Sequence, residues 1–213
     1  MEKFIPGTNP EWGRKLPKED LNSLVDKNGH NYDDGFNFDE RDDEVDDGFE
    51  ELVKERELME KTRKKTFYAG IFVDKDELYG KAEPTLKNTV ENPHVTTNFK
   101  PDETQLHIDS LGSEAKIFAI GYGDNGKNQG LLVRVEADDP AIQEAIDKLE
   151  KPHITLSYSD DSHPKDTVDL DFEPIEEQFE IDGDYGLFMN GGKIMHERSK
   201  LESYIEDSEK SQD

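Results

Sequence analysis

Apolar residues are sparse in the first part of this chain and fall into regular patterns only downstream of residue 48. Phe49, Leu52, Val53, Arg56 and Met59 recur at helical spacing among charged residues, which predicts an amphipathic helix ending near the basic cluster Arg63-Lys64-Lys65. From Thr66 the period shortens. Residues 67–73 and 93–99 read as strands, and residues 81–90 between them as a loop with a short helix. Residues 115–122 and 130–135 form two further strands, joined by the hairpin signal Gly123-Asp124-Asn125-Gly126. Asp139 as N-cap and Pro140 in the first turn open a helix carrying Ile142, Ile146 and Leu149. A strand at 153–158 follows, then two more around 177–181 and 187–189, before Gly191-Gly192. The order strand, connector, strand, then strand, helix, strand is a weak internal duplication.

The first 48 residues show scattered Pro and Gly, one helix candidate at 17–25 and an acidic run at 39–47, a composition that predicts loops or disorder. Two stretches there, 26–37 and 39–48, superficially suggest calcium loops. Neither sets Gly at the sixth position with acids at the first, third and fifth, so both read as solvated acidic segments. The expected organisation is an acidic extension over 1–65, one domain over 66–195 and a charged tail over 196–213.

Charge narrows the function classes. The chain of 213 residues is only 31% hydrophobic and carries a formal charge of −26. Residues 66–195 alone hold 11 basic and 27 acidic side chains, so the acidity extends through the folded region. Such a surface repels phosphate backbones and anionic headgroups, and no basic track is present. Duplex nucleic acid and membranes are therefore not expected as partners, whereas a small nucleotide held by local donors is compatible. The absence of Cys removes disulfides, thiolate nucleophiles and Cys-ligated zinc. No apolar run spans a bilayer and the start lacks the apolar stretch of a signal peptide, so a cytoplasmic location is expected.

The chemistry is carried by a repeat. Pro93-His94-Val95-Thr96 returns as Pro152-His153-Ile154-Thr155. With six His, ten Pro and ten Thr, even one Pro-His-x-Thr arises by chance in roughly one shuffled sequence in a hundred. Strand alternation points His94 and Thr96 to one face and Val95 to the other, and the second copy repeats this. Each imidazole is thus paired with a hydroxyl, and two such pairs could flank a bound phosphate. One imidazole can take a proton from the nucleophile while the other gives one to the departing oxygen. A lone strand histidine is more often satisfied by neighbouring backbone, but duplication of the whole motif reverses that preference. His30, His107, His163 and His196 lack comparable partners and read as surface or loop residues. No His-Glu-x-x-His or similar spacing suggests a metal site.

These motifs resemble those of the 2H phosphoesterase superfamily, named for its two His-x-Thr/Ser motifs. Three stretches, 68–73 (Tyr68-Ala69-Gly70-Ile71-Phe72-Val73), 121–128 and 190–193, look like its bacterial and phage branch, labelled Swiss-army-knife RNA-repair-like. The resemblance covers about residues 66–195. It implies a bilobal α+β fold with pseudo-twofold symmetry and a central antiparallel groove, and catalysis without metal or other cofactor. It further implies His94 and His153 as general base and general acid in unassigned order, with Thr96 and Thr155 bonding phosphate oxygens. The substrate would be a 2′,3′-cyclic phosphate at an RNA end or a cyclic oligonucleotide messenger. Neither motif is flanked by Arg or Lys; Lys127 and Lys193, in glycine-containing loops, are candidates for the missing positive potential. Tyr68 is a candidate to stack on a base, against the plainer reading of an ordinary sheet residue.

Two other classes compete with the enzyme. A non-catalytic nucleotide-binding protein could retain the phosphate cradle, although binding alone would not need two proton carriers. Alternatively, the acidic N-terminal segment contributes a separate function by contacting a protein partner.

Overall fold

The computed structural model describes residues 47–210. The helix expected at 17–25, His30 and nearly all of the acidic run fall outside the described residues. The elements are α1 (Asp47–Lys65), β1 (Thr66–Val73), α2 (Lys75–Lys81), β2 (Asn88–Thr89), β3 (His94–Phe99), β4 (Glu114–Asp124), β5 (Asn128–Ala137), α3 (Pro140–Asp147), β6 (His153–Tyr158), β7 (Glu173–Met189), β8 (Ile194–Met195) and α4 (Arg198–Lys210). Three short 3₁₀ turns interrupt the connections, the last at Pro164–Asp169.

All strand pairs are antiparallel, in the order β1-β3-β6-β5-β4-β7, and β7 pairs back onto β1. The result is a closed six-stranded barrel in a mixed α/β chain. Closure removes the unpaired edges that an open sheet of this length would expose. Alternate residues fill the interior: Ala69 and Ile71 from β1, Val95 from β3, Ile117 from β4, Leu131 and Val133 from β5, Ile154 and Leu156 from β6, Ile181, Tyr185 and Leu187 from β7. Each is at most 3% exposed, as the period of two requires.

The helices arise as their ends dictate. Asp139 accepts hydrogen bonds from the Ala141 and Ile142 amides, and Pro140 occupies the first turn, so α3 starts where expected and buries Ile142 and Ile146. α1 also forms, and packs against α4. Its apolar stripe is only partly used: Leu58 and Met59 pack on the core, while Phe49, Leu52 and Val53 remain exposed. The C-terminal stretch assigned to a charged tail folds as α4, seating Leu201 and Ile205 in the core. Among the described residues no helix is long and apolar enough to cross a membrane.

Two connections differ from the sequence reading. The short helix precedes residues 81–90, because Asp74 caps α2 by accepting from the Glu77 amide. Residues 177–181 and 187–189 are one continuous strand, β7. Gly183 looks like a turn residue in Asp182-Gly183-Asp184. Its actual role is close approach, since a Cβ there would stand 2.8 Å from the Phe72 carbonyl oxygen.

Candidate active site

The two repeated motifs lie on neighbouring strands of the barrel. β3 and β6 pair through one register couple, Val95 with Ile154, both fully buried. His94, Thr96, His153 and Thr155 therefore project from the opposite face, and all four line one cavity of about 680 Å³. Antiparallel register brings His94 level with Thr155 and Thr96 level with His153, so each imidazole faces the hydroxyl of the other motif. Beyond the central couple β2 takes over the edge, pairing with Ser157 and Tyr158. Thr89 to Asn92 then form part of the cavity wall.

Both histidines are oriented in the same way. His94 Nδ1 is 2.7 Å from the Asn92 carbonyl oxygen, and His153 Nδ1 is 2.8 Å from that of Lys151. A carbonyl only accepts, so Nδ1 carries the proton in each ring and Nε2 is left for chemistry. Positioning by the carbonyl two residues back is a direct product of the Pro-His entry into each strand. Each proline also receives the same bond: Val73 N donates to the Pro93 carbonyl at 3.1 Å and Val133 N to that of Pro152 at 2.9 Å.

The glycines opposite the threonines match as well. Gly70 of β1 pairs with Thr96 and Gly130 of β5 with Thr155, each immediately after a register shift. A Cβ at Gly70 would approach the Val95 carbonyl oxygen to 2.6 Å, and one at Gly130 the Ile154 carbonyl oxygen to 2.9 Å.

The surroundings of the two imidazoles differ. His94 stacks on Tyr68, with centroids 4.4 Å apart and planes at 15°, and Phe72 leans against it at 5.3 Å. This enclosure favours the uncharged ring, and burial, reinforced weakly by the neighbouring His153, pushes the His94 pKa down to about 4 despite the bond to Asn92. His94 is neutral at pH 7. Among the described residues no aromatic ring stacks on His153, and its register partner on β5 is Leu132.

The hydroxyls differ too. Thr155 Oγ1 donates to the Pro164 carbonyl at 3.1 Å and stands 3.0 Å from the Thr167 hydroxyl. Asn128, 1% exposed, holds the same turn by donating to the His163 carbonyl at 2.7 Å and to Thr167 Oγ1 at 3.3 Å. Thr96 has no such partner among the described residues and can donate to a ligand.

Of the three further candidates, only Tyr68 reaches the cavity. Both its faces are taken, by His94 and by Phe188 at 4.8 Å and 4°, so it braces the imidazole and has no face left for a base. Lys127 sits in the β4–β5 turn with Nζ 3.1 Å from an Asp161 carboxylate oxygen, outside the cavity lining. Lys193 lies in the β7–β8 turn over the Tyr204 ring of α4, also outside it. The cation at the cavity is instead Lys165, delivered by the 3₁₀ turn at Pro164–Asp169 together with His163. Lys165 is exposed and has no ion pair among the described residues. Its only sequence signal was the Pro164 that starts the turn. Glu91, the one acidic residue of the lining, is neutralised by Lys75 at 2.7 Å. Among the described residues no cluster of three or more His, Asp or Glu side chains is arranged to hold a metal ion.

No protein-family model matches the chain, and no curated protein matches it in sequence. The functional reading therefore rests on the site itself and on the motif resemblance.

Proposed function

We propose that the protein is a phosphoesterase that opens a cyclic phosphate or cyclic nucleotide by two-histidine acid/base catalysis. The observation that carries this reading is the pair of His-x-Thr motifs on one cavity wall, each with Nδ1 committed to a carbonyl and Nε2 left over. A pseudo-twofold, bilobal arrangement of the 2H type is supported by the matched Gly70/Thr96 and Gly130/Thr155 pairs and by the matched proline carbonyl bonds.

The unequal surroundings divide the roles. His94, neutral at working pH, is the base: its Nε2 takes a proton from the attacking water, or from a ribose 2′-hydroxyl in a cyclic oligonucleotide. The new P–O bond forms as the bond to the departing ribose oxygen breaks, and His153, acting as an imidazolium with a proton on each nitrogen, gives that oxygen the proton on Nε2. Thr96 and Lys165 hold the phosphate oxygens, with Thr155 steadied by Thr167 on the opposite side. The imidazoles then return to their starting forms by exchange with solvent. A neutral His94 at the outset fits a site inside an acidic chain that accepts an anion, because Lys165 and hydrogen bonds supply the attraction locally.

The test incubates the full chain, with a chelator present, with 2′,3′-cyclic AMP, a short RNA ending in a cyclic phosphate and a panel of cyclic di- and trinucleotides. Chromatography identifies the products. At least one substrate should turn over, and His94→Ala and His153→Ala should each lose about 10²- to 10⁴-fold. Lack of turnover across the panel, or full activity in either variant, rejects the enzymatic reading.

A further inference from the structure

The cavity is larger than a cyclic phosphate and its sugar ring need: about 680 Å³ falls in the range of sites that enclose ligands of drug size, roughly 300–1,000 Å³. Much of the surplus is bounded by aromatic side chains that the acid/base chemistry does not use. Phe67 and Phe99 are the clearest. They are 40% and 61% exposed, in contact edge to face with centroids 5.1 Å apart, and both line the cavity. Two exposed phenyl rings are costly surface in a chain that is 37% charged.

Their position is built. β3 ends at Phe99, and the next residue, Lys100, turns the chain with a left-handed φ of 49°, a conformation strained for a non-glycine residue. The turn is fixed by the Lys100 amide donating to the Phe67 carbonyl at 3.0 Å, which ties the two aromatic residues together through the backbone. Lys100 also carries its ammonium 5.6 Å from the Phe99 centroid, and it has no ion pair among the described residues. Tyr68 cannot serve in their place, since it is stacked on His94 and on Phe188. Exposed rings interleaved with unpaired lysines, continuous with a phosphate-sized cluster of His and Thr, form the pattern by which proteins hold a base and its phosphate together.

We propose that Phe67 and Phe99 form a base-stacking subsite, so that the substrate class is a nucleotide whose purine or pyrimidine ring lies on this pair while its phosphate sits between the two motifs. The proposal rests on the phosphoesterase reading and sharpens it: a cyclic phosphate without a base lacks half of the contacts.

The experiment compares 2′,3′-cyclic AMP with 1-O-methylribose 2,3-cyclic phosphate, which has the same reacting ring and no base, using the full chain and the variants Phe99→Ala, Phe67→Ala/Phe99→Ala and Phe99→Tyr. Both positions are exposed, so truncation leaves the core intact, and circular dichroism checks folding. Stacking on one aromatic side chain corresponds to roughly a 5- to 100-fold preference. The wild-type ratio of kcat/KM for the two substrates should therefore fall by that factor in the alanine variants and stay near wild type in Phe99→Tyr. An unchanged ratio in the double variant overturns the subsite. If the wild type turns over neither compound, the catalytic reading is decided separately by the full substrate panel, and the subsite is judged by binding of the same two probes in equilibrium dialysis. Preferential binding of the nucleotide that disappears with the phenyl rings supports the subsite; equal binding by wild type and double variant overturns it.

Discussion

Replacing Tyr68 with alanine strips one wall from the His94 imidazole, and the consequence can be worked through from the geometry. In the intact protein the ring is covered by Tyr68 at 4.4 Å and flanked by Phe72 at 5.3 Å, and its pKa is pushed down to about 4. The ordinary value is 6.5, so the enclosure disfavours the charged ring by roughly 3 kcal/mol. Water entering the space left by Tyr68 should recover about half of that, bringing His94 to about 5 to 6. The Tyr68 hydroxyl contributes little, because 3.5 Å from Nδ1 is too long for a strong bond and Nδ1 is already committed to Asn92. The assay is a titration of labelled imidazoles by NMR, assigned with His94→Gln and His153→Gln, alongside the acidic limb of the kcat/KM profile. That limb should move to higher pH by the same amount, since His94 must be unprotonated to act as base. If His94 of the wild type titrates near 6.5, burial is not the governing cause. If Tyr68→Ala leaves it near 4 while removal of the His153 imidazole raises it, repulsion between the two rings governs instead. A pKa that falls further in Tyr68→Ala would mean that the aromatic face stabilises the imidazolium more than it desolvates it.

Two further outcomes follow from close contacts and charge. Gly130→Ala places a methyl 2.4 Å from Thr167 Cγ2 and 2.9 Å from the Ile154 carbonyl oxygen, and should cost about 1 to 3 kcal/mol of stability, read as a lower denaturant midpoint at unchanged slope. Lys165→Ala should raise KM about tenfold and weaken the salt dependence of binding, whereas Lys127→Ala and Lys193→Ala should leave KM within error, a contrast that steady-state kinetics at two ionic strengths checks.

How far the sequence carried the fold depended on whether the signal was local. β3 and β6 were readable because Pro93 and Pro152, which lack an amide donor, bound the strands and alternation sorts Val95 and Ile154 from the histidines. α3 was readable from Asp139-Pro140. Closure of the barrel was not, because pairing of β1 with β7 joins residues far apart in the chain. β7 reads from the sequence as two strands, and only the neighbouring Phe72 carbonyl reveals why a side chain is excluded at Gly183 between them. α4 hid its Leu201 and Ile205 in a charged segment, although their spacing of four was a usable signal. At the site, the four motif residues come together as the repeat suggested, and Tyr68 joins them in a bracing role. Lys165 was missed because a turn outside both motifs delivers it, held through Thr167 by Asn128 and Thr155 from elsewhere in the chain. Flanking glycines are a poor guide to a cation's position: Lys127 and Lys193 found closer partners, in an acidic loop and on an aromatic ring.

The strap-like β7 has a consequence for how the protein is made. It borders β4 along its first part and β1 along its second, so the first strand of the barrel stays an unpaired edge on one side until the last long strand has been synthesised, roughly a hundred residues later. During that interval Phe67, Tyr68 and Phe72 belong to an apolar edge with only β3 beside it. A nascent chain halted before residue 173 would thus hold both histidine motifs and still present a flank open to pairing with another strand.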